Sequence, residues 1–145
     1  MTTQRLYKPL ALAGTLPFLA CAILPLAGIP SVPMLGALDA VASSYGLAII
    51  CFLAGAQWGL YLSGQVDDSF NLFVISNAVL LAVWFAFIGA SLEWAITTQI
   101  VAFLMLLFID YRLKVSEVVS DHYFSTRSVV TLVVIVSLLM ILRFQ

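Results

Sequence analysis

Charge is what this chain has least of. Six basic and seven acidic residues serve 145 positions, well below the quarter or so that clothes an ordinary soluble domain. The shortage excludes a nucleic-acid role, because no basic patch with interleaved aromatics is present to neutralise phosphates. Cysteine is almost missing as well. Cys21 and Cys51 stand alone in separate apolar runs, which predicts two small buried side chains, no disulfide and no metal. His122 is the single histidine, and no second histidine or cysteine lies near it to complete a metal or haem site. Asp67-Asp68 is the only acidic pair. Adjacent residues do not aim at one target, so the pair reads as a helix start. With no acid-base pair, no ligand cluster and no nucleotide loop, no catalytic residue is assigned and no cofactor is expected. A membrane enzyme is the least supported class.

What is present is hydrocarbon. Hydrophobic residues make up 63% of the sequence and the mean hydropathy is +1.14. Apolar runs of about 18 residues or more can cross a hydrocarbon core of about 30 Å as helices, and several follow one another with short connections. The expected fold class is an all-α integral membrane protein: one domain over residues 1–145, a bundle of five transmembrane helices. The spans are predicted at residues 9–29, 36–63, 70–89, 92–111 and 125–142, with 112–124 as a cytoplasmic surface segment. Pro17 should kink the first span, Gly14 and Thr15 supplying flexibility and a hydroxyl for the freed carbonyl. Pro25, Gly28, Pro30 and Pro33 should end it. Gly89-Ala90-Ser91 leaves almost no loop, so spans three and four must form a tight antiparallel hairpin.

Five spans put Arg5, Lys8, Arg112, Lys114 and Arg127 on one side and leave Arg143 on the other. Four or six would split the group. Basic residues stay inside, so the expectation is a cytoplasmic N-terminus and a periplasmic C-terminus. The short polar segment before the first run, and the prolines and length of that run, predict a retained helix rather than a cleaved leader. A bacterial inner membrane is the simplest address, with a mitochondrial inner membrane as the alternative.

The stretch from Gly46 to Gly59 gathers small residues around one strongly polar side chain. Gly55 and Gly59 form a GxxxG pair that lets another helix approach its backbone, and Trp58 stands beside them. At 1.5 Å per residue, Gln57 and Asn77 both lie about 10 Å from the cytoplasmic ends of their spans. They are expected to face each other. Thr15 and Thr131 fall in the same leaflet, completing a polar layer that either sets helix register or contacts a ligand. Gln99, Thr97 and Thr98 form the matching polar group toward the other face and are given a packing role. Asp110, Arg112, Lys114 and Arg127 are read as cytoplasmic interface charges meeting lipid headgroups. An exposed Asp110–Arg127 bridge would contribute about 0 to 1 kcal/mol.

Leu12-Ala13-Gly14-Thr15-Leu16-Pro17-Phe18, Tyr45-Gly46-Leu47-Ala48-Ile49 and Phe52-Leu53-Ala54-Gly55-Ala56-Gln57-Trp58-Gly59, followed by Asp110, Arg112, Tyr123, Arg127 and Thr131, resemble a known family. It comprises small bacterial membrane proteins, grouped as a domain of unknown function, related to animal transmembrane protein 69. The resemblance implies a similar size and about five hydrophobic spans, and it brings no biochemical activity. Many relatives carry a histidine or another basic or polar residue before the Trp-Gly, where this chain has Gln57. Glutamine does not titrate, so no proton relay or haem ligand carries over to that position.

Two functions are therefore expected. The first is an accessory or assembly component of a larger membrane complex, or a self-associating bundle, working through helix and lipid contacts. Its partners are membrane lipids together with a membrane protein or a second copy. The alternative is a small transporter or permease subunit that holds a neutral polar solute or cofactor among Thr15, Gln57, Asn77 and Thr131.

Overall fold

The computed structural model describes residues 3–64, 66 and 71–144; the expected helix-start pair Asp67-Asp68 lies outside them. The first apolar segment is two helices, α1 (Thr3–Ala13) and α2 (Leu16–Ile23). Pro17 has no N–H to offer the carbonyl one turn back, and the chain breaks where the sequence predicts a kink. Thr15 turns its hydroxyl onto the Leu12 carbonyl at 2.7 Å. A second partner comes from elsewhere: the Tyr45 hydroxyl donates to the Gly14 carbonyl at 3.1 Å. Irregular backbone within an apolar bundle persists where neighbouring helices satisfy it in this way.

A 3-10 turn at Leu24–Ala27 follows α2 and ends at Gly28, whose φ of 83° is left-handed. The Gly28 N–H bonds the Pro25 carbonyl and the Ile29 N–H bonds the Leu24 carbonyl, both at 3.0 Å. This is a Schellman stop, which only a residue without Cβ enters at no steric cost. Next comes a miniature hairpin, β1 (Ser31–Val32) against β2 (Gly36–Ala37). It has no counterpart in the helical reading of the sequence, and it delays the second span until Leu38.

Helix α3 runs over Leu38–Leu62, α4 over Leu72–Gly89, α5 over Leu92–Val115 and α6 over Asp121–Phe144. Asn71 caps α4 by accepting the Val74 N–H at 3.2 Å, a use of the side chain typical of that position. Only Ala90 and Ser91 separate α4 from α5, so the tight hairpin is present. The expected surface segment at 112–124 needs correction. Its first four residues prolong α5, its last four open α6, and only residues 116–120 connect the two. Basic Arg112 and Lys114 sit at the negative end of one helix dipole and Asp121 at the positive end of the next. A Lys114–Asp121 ion pair of 2.9 Å ties the ends together.

Five helices are long and apolar enough to cross a membrane, counting α1, α2 and the 3-10 turn as one. Helix α5 packs against α3, α4 and α6, α2 fits between α3 and α6, and α1 rests on α6. Phe18, Ile50, Leu72, Ile96, Leu106 and Leu138 fill the centre. The outside is apolar too: Phe52, Trp84, Phe85, Ile88, Phe108 and Leu132 are all exposed. A surface of this kind is a liability in water and suits lipid.

Candidate functional site

The most strongly polar contact joins α5 to α6. Arg127 Nε donates to Asp110 Oδ2 at 2.9 Å, and their side chains are only 8% and 6% exposed. Exposed interface charges were expected at these positions. Because α5 continues to Val115 and α6 starts at Asp121, each partner instead sits more than one turn inside its helix, about 8 to 9 Å from the end. Burial changes the energetics, since a lone charge there has no water to turn to. Arg112 remains exposed and Lys114 is half-buried, where it pairs with Asp121 and lies 5.2 Å from the centre of the Phe124 ring.

Two tyrosines lean on this pair. Tyr7 of α1 stacks on Tyr123 of α6, with ring centres 5.3 Å apart and planes 24° from parallel. This contact anchors α1 to α6. The Tyr7 hydroxyl is buried and has no hydrogen-bond partner among the described residues.

The expected polar layer is present as separate groups. Thr15 is buried and bonds within its own segment. Asn77 is half-buried and donates to the Phe73 carbonyl one turn back on α4 at 2.9 Å. Gln57 is 3% exposed, its Oε1 unpartnered among the described residues, so the expected Gln57–Asn77 hydrogen bond is not made. Thr131 is 1% exposed with an equally unpartnered Oγ1. Trp58 is exposed and meets Phe73 edge-on at 4.5 Å, while Tyr61 meets the same ring at 4.4 Å. These aromatics clamp α3 to α4.

Gly55 and Gly59 do not pack against another helix of the described chain. Both are exposed, and a Cβ built on either would meet nothing within 4 Å. Cys51, expected to be buried like Cys21, is exposed as well. The physical reason is phase. The buried stripe of α3 runs through Leu38, Ala42, Gly46, Ile50, Ala54 and Gln57, which turns Cys51, Gly55 and Gly59, spaced at i, i+4 and i+8, to the outside.

The close helix approach occurs at Gly46. Gln99 of α5, fully buried, donates through Nε2 to the Ser43 carbonyl at 2.7 Å and reaches the Ser43 hydroxyl at 3.3 Å. Its Oε1 lies directly over Gly46, where any Cβ would collide with it. The sequence reading gave Gln99 only a general packing role. The depth count that paired Gln57 with Asn77 places Ser43 and Gln99 at matching depths of about 8 and 10 Å from the opposite end of the bundle, so the signal was there to be read.

The arrangement offers no cluster of three or more His, Cys, Asp or Glu able to hold a metal among the described residues. What it does offer, among the described residues, is a bundle tied by polar contacts of Asp110 with Arg127, Gln99 with Ser43 and Tyr45 with Gly14, and an outward face on α3 that carries Gly55 and Gly59. No curated protein and no solved structure matches the chain. The family model described as "Protein of unknown function (DUF3429)" matches residues 3–143, nearly the whole sequence, and the chain belongs to that family.

Proposed function

We propose that the protein is a five-pass component of a bacterial inner membrane, related to animal transmembrane protein 69. Its N-terminus is cytoplasmic, and it acts by presenting the outer face of α3 to a second membrane protein or a second copy of itself. The observation that carries this reading is the exposed Gly55–Gly59 pair with open space above both glycines. Small residues four apart let two backbones come into van der Waals contact inside lipid. The protein's own core makes no use of that face. An accessory or assembly role fits that face, and the charged pair Asp110–Arg127 and the Gln99–Ser43 contact inside the bundle hold helices together.

Cys51 gives a built-in test, since it lies one helical turn from Gly55 on the same face. Mild oxidation of native membranes should yield a disulfide-linked species, at twice the 15.8 kDa chain mass for a homodimer. Cys51→Ser should abolish it, Gly55→Leu with Gly59→Leu should greatly reduce it, and Cys21→Ser should leave it unchanged. A chain that stays uncrosslinked, and emerges from mild detergent as a monomer with no companion, contradicts the reading.

One observation favours a second reading, a small transporter or permease subunit. Gln57 Oε1 and Thr131 Oγ1 are buried acceptors without partners among the described residues, and such groups are costly unless something bonds them. A neutral polar solute could supply the donor. On that reading Gln57→Leu and Asn77→Leu each abolish a phenotype that depends on the protein; a wild-type phenotype for both removes it.

A further inference from the structure

At the opposite end of the bundle from Arg127, a cavity of about 220 Å³ opens between the end of α2, the turn after it, the first turn of α3 and the last turn of α6. Ala22, Pro25, Ile141 and Phe144 form apolar walls, the buried Cys21 thiol lies among them, and the Asp39 carboxylate stands at the edge. Asp39 Oδ1 accepts the Ala40 N–H at 2.7 Å. Oδ2 takes no hydrogen bond from the described residues, and none of their basic groups pairs with it.

The chemistry of this lining is one-sided. Pro25 and Pro30 bring no N–H, and the Pro30 carbonyl is already engaged by the Leu38 N–H at 3.0 Å. The lining therefore presents a charged acceptor beside apolar walls and lacks donors at its proline positions. An anion would meet repulsion. An ammonium brings three donors and the opposite charge, and its bond to a carboxylate is of the strong charge-assisted kind. The volume is smaller than the pockets that enclose drug-sized ligands, which start at about 300 Å³, so it suits a head and a few methylenes.

We infer that this cavity binds a primary ammonium group carried on a short apolar chain, with Asp39 as its counter-ion. The ammonium belongs either to an aminophospholipid headgroup or to a free alkylamine. Asp39 is the second residue of α3 and Phe144 the last of α6, so the cavity sits where a bundle end meets headgroups. Arg143, exposed on the last turn of α6 and next in sequence to the lining residue Phe144, is the basic residue at this end that would meet the phosphate of a lipid but nothing on an alkylamine.

The two cysteines supply the readout: Cys21 lines the cavity and Cys51 is remote from it on the outer face of α3. The full chain in dodecylmaltoside is treated with N-ethylmaleimide alone, then with short-chain phosphatidylethanolamine, with phosphatidylcholine of the same chains, and with hexylamine. At about ten times its dissociation constant, a ligand filling the cavity should slow Cys21 modification roughly tenfold by occupancy alone, with Cys51 unaffected. Asp39→Asn should remove the protection. Protection by phosphatidylethanolamine that weakens in Arg143→Gln identifies the lipid headgroup. Protection by hexylamine alone identifies a free amine. Equal protection by phosphatidylcholine, protection that survives in Asp39→Asn, or no protection from either amine overturns the inference. The ethanolamine and choline comparison needs no variant, so it stands even if Asp39→Asn fails to fold.

Discussion

Asp110→Ala is expected to destabilise the protein by about 3–5 kcal/mol, because it strands the Arg127 guanidinium in the interior. The pair is 2.9 Å apart and almost wholly shielded, so Arg127 has neither water nor another carboxylate to fall back on among the described residues. Arg127→Met should do less harm, since a carboxylate left alone can neutralise by taking up a proton, which a guanidinium does not do by losing one. The double variant Asp110→Leu/Arg127→Met should recover most of the loss, because an apolar pair of similar volume is often as stable as a buried ion pair. Unfolding in denaturing detergent, followed by helix content, measures all three. If the two single losses simply add in the double variant, the residues are not coupled and the geometry has been misread.

The second large effect concerns Gly46. In an ordinary helix, Gly→Ala stabilises by up to about 1 kcal/mol through propensity alone. Here the new methyl would land on the Gln99 Oε1, part of a buried amide whose Nε2 is held by two contacts to Ser43. Forcing the helices apart costs about 1–3 kcal/mol, and losing the amide bond about 1 more. Gly46→Ala should therefore destabilise by about 1–3 kcal/mol net. The sign is the test. In a Gln99→Ala background the obstruction is gone and the same substitution should become neutral or stabilising. Destabilisation of equal size in both backgrounds would show that the Gln99 contact is not what makes glycine necessary there.

Most of the helical architecture was legible because long apolar helices announce themselves by length and composition. The break near Pro17 was legible as well, since proline removes a donor wherever it stands. The donor that Tyr45 provides to Gly14 was not, because it comes from 31 residues away. Helix phase was the harder quantity. Spans oily on every side carry almost no amphipathic signal, so the sequence could not say whether the helix that Gly55 and Gly59 admit belongs to this chain or to another, nor that Gly46, on the stripe that turns inward, makes the close approach. Helix ends mattered in the same way. Reading α5 as ending at Tyr111 left Asp110 and Arg127 at the surface; four more residues of helix put the pair inside. The exposed Gly55–Gly59 face could not have been told from a buried one by any count along the chain.

The Asp110–Arg127 contact also bears on how the chain is made. Its two halves lie 17 residues apart on consecutive helices, and the carboxylate leaves the ribosome first. Until the first turns of α6 follow, α5 carries an acid without its basic partner, so the last two helices reach their packed arrangement to best advantage together, as one hairpin. Biogenesis of the C-terminal third is thus tied to its completion.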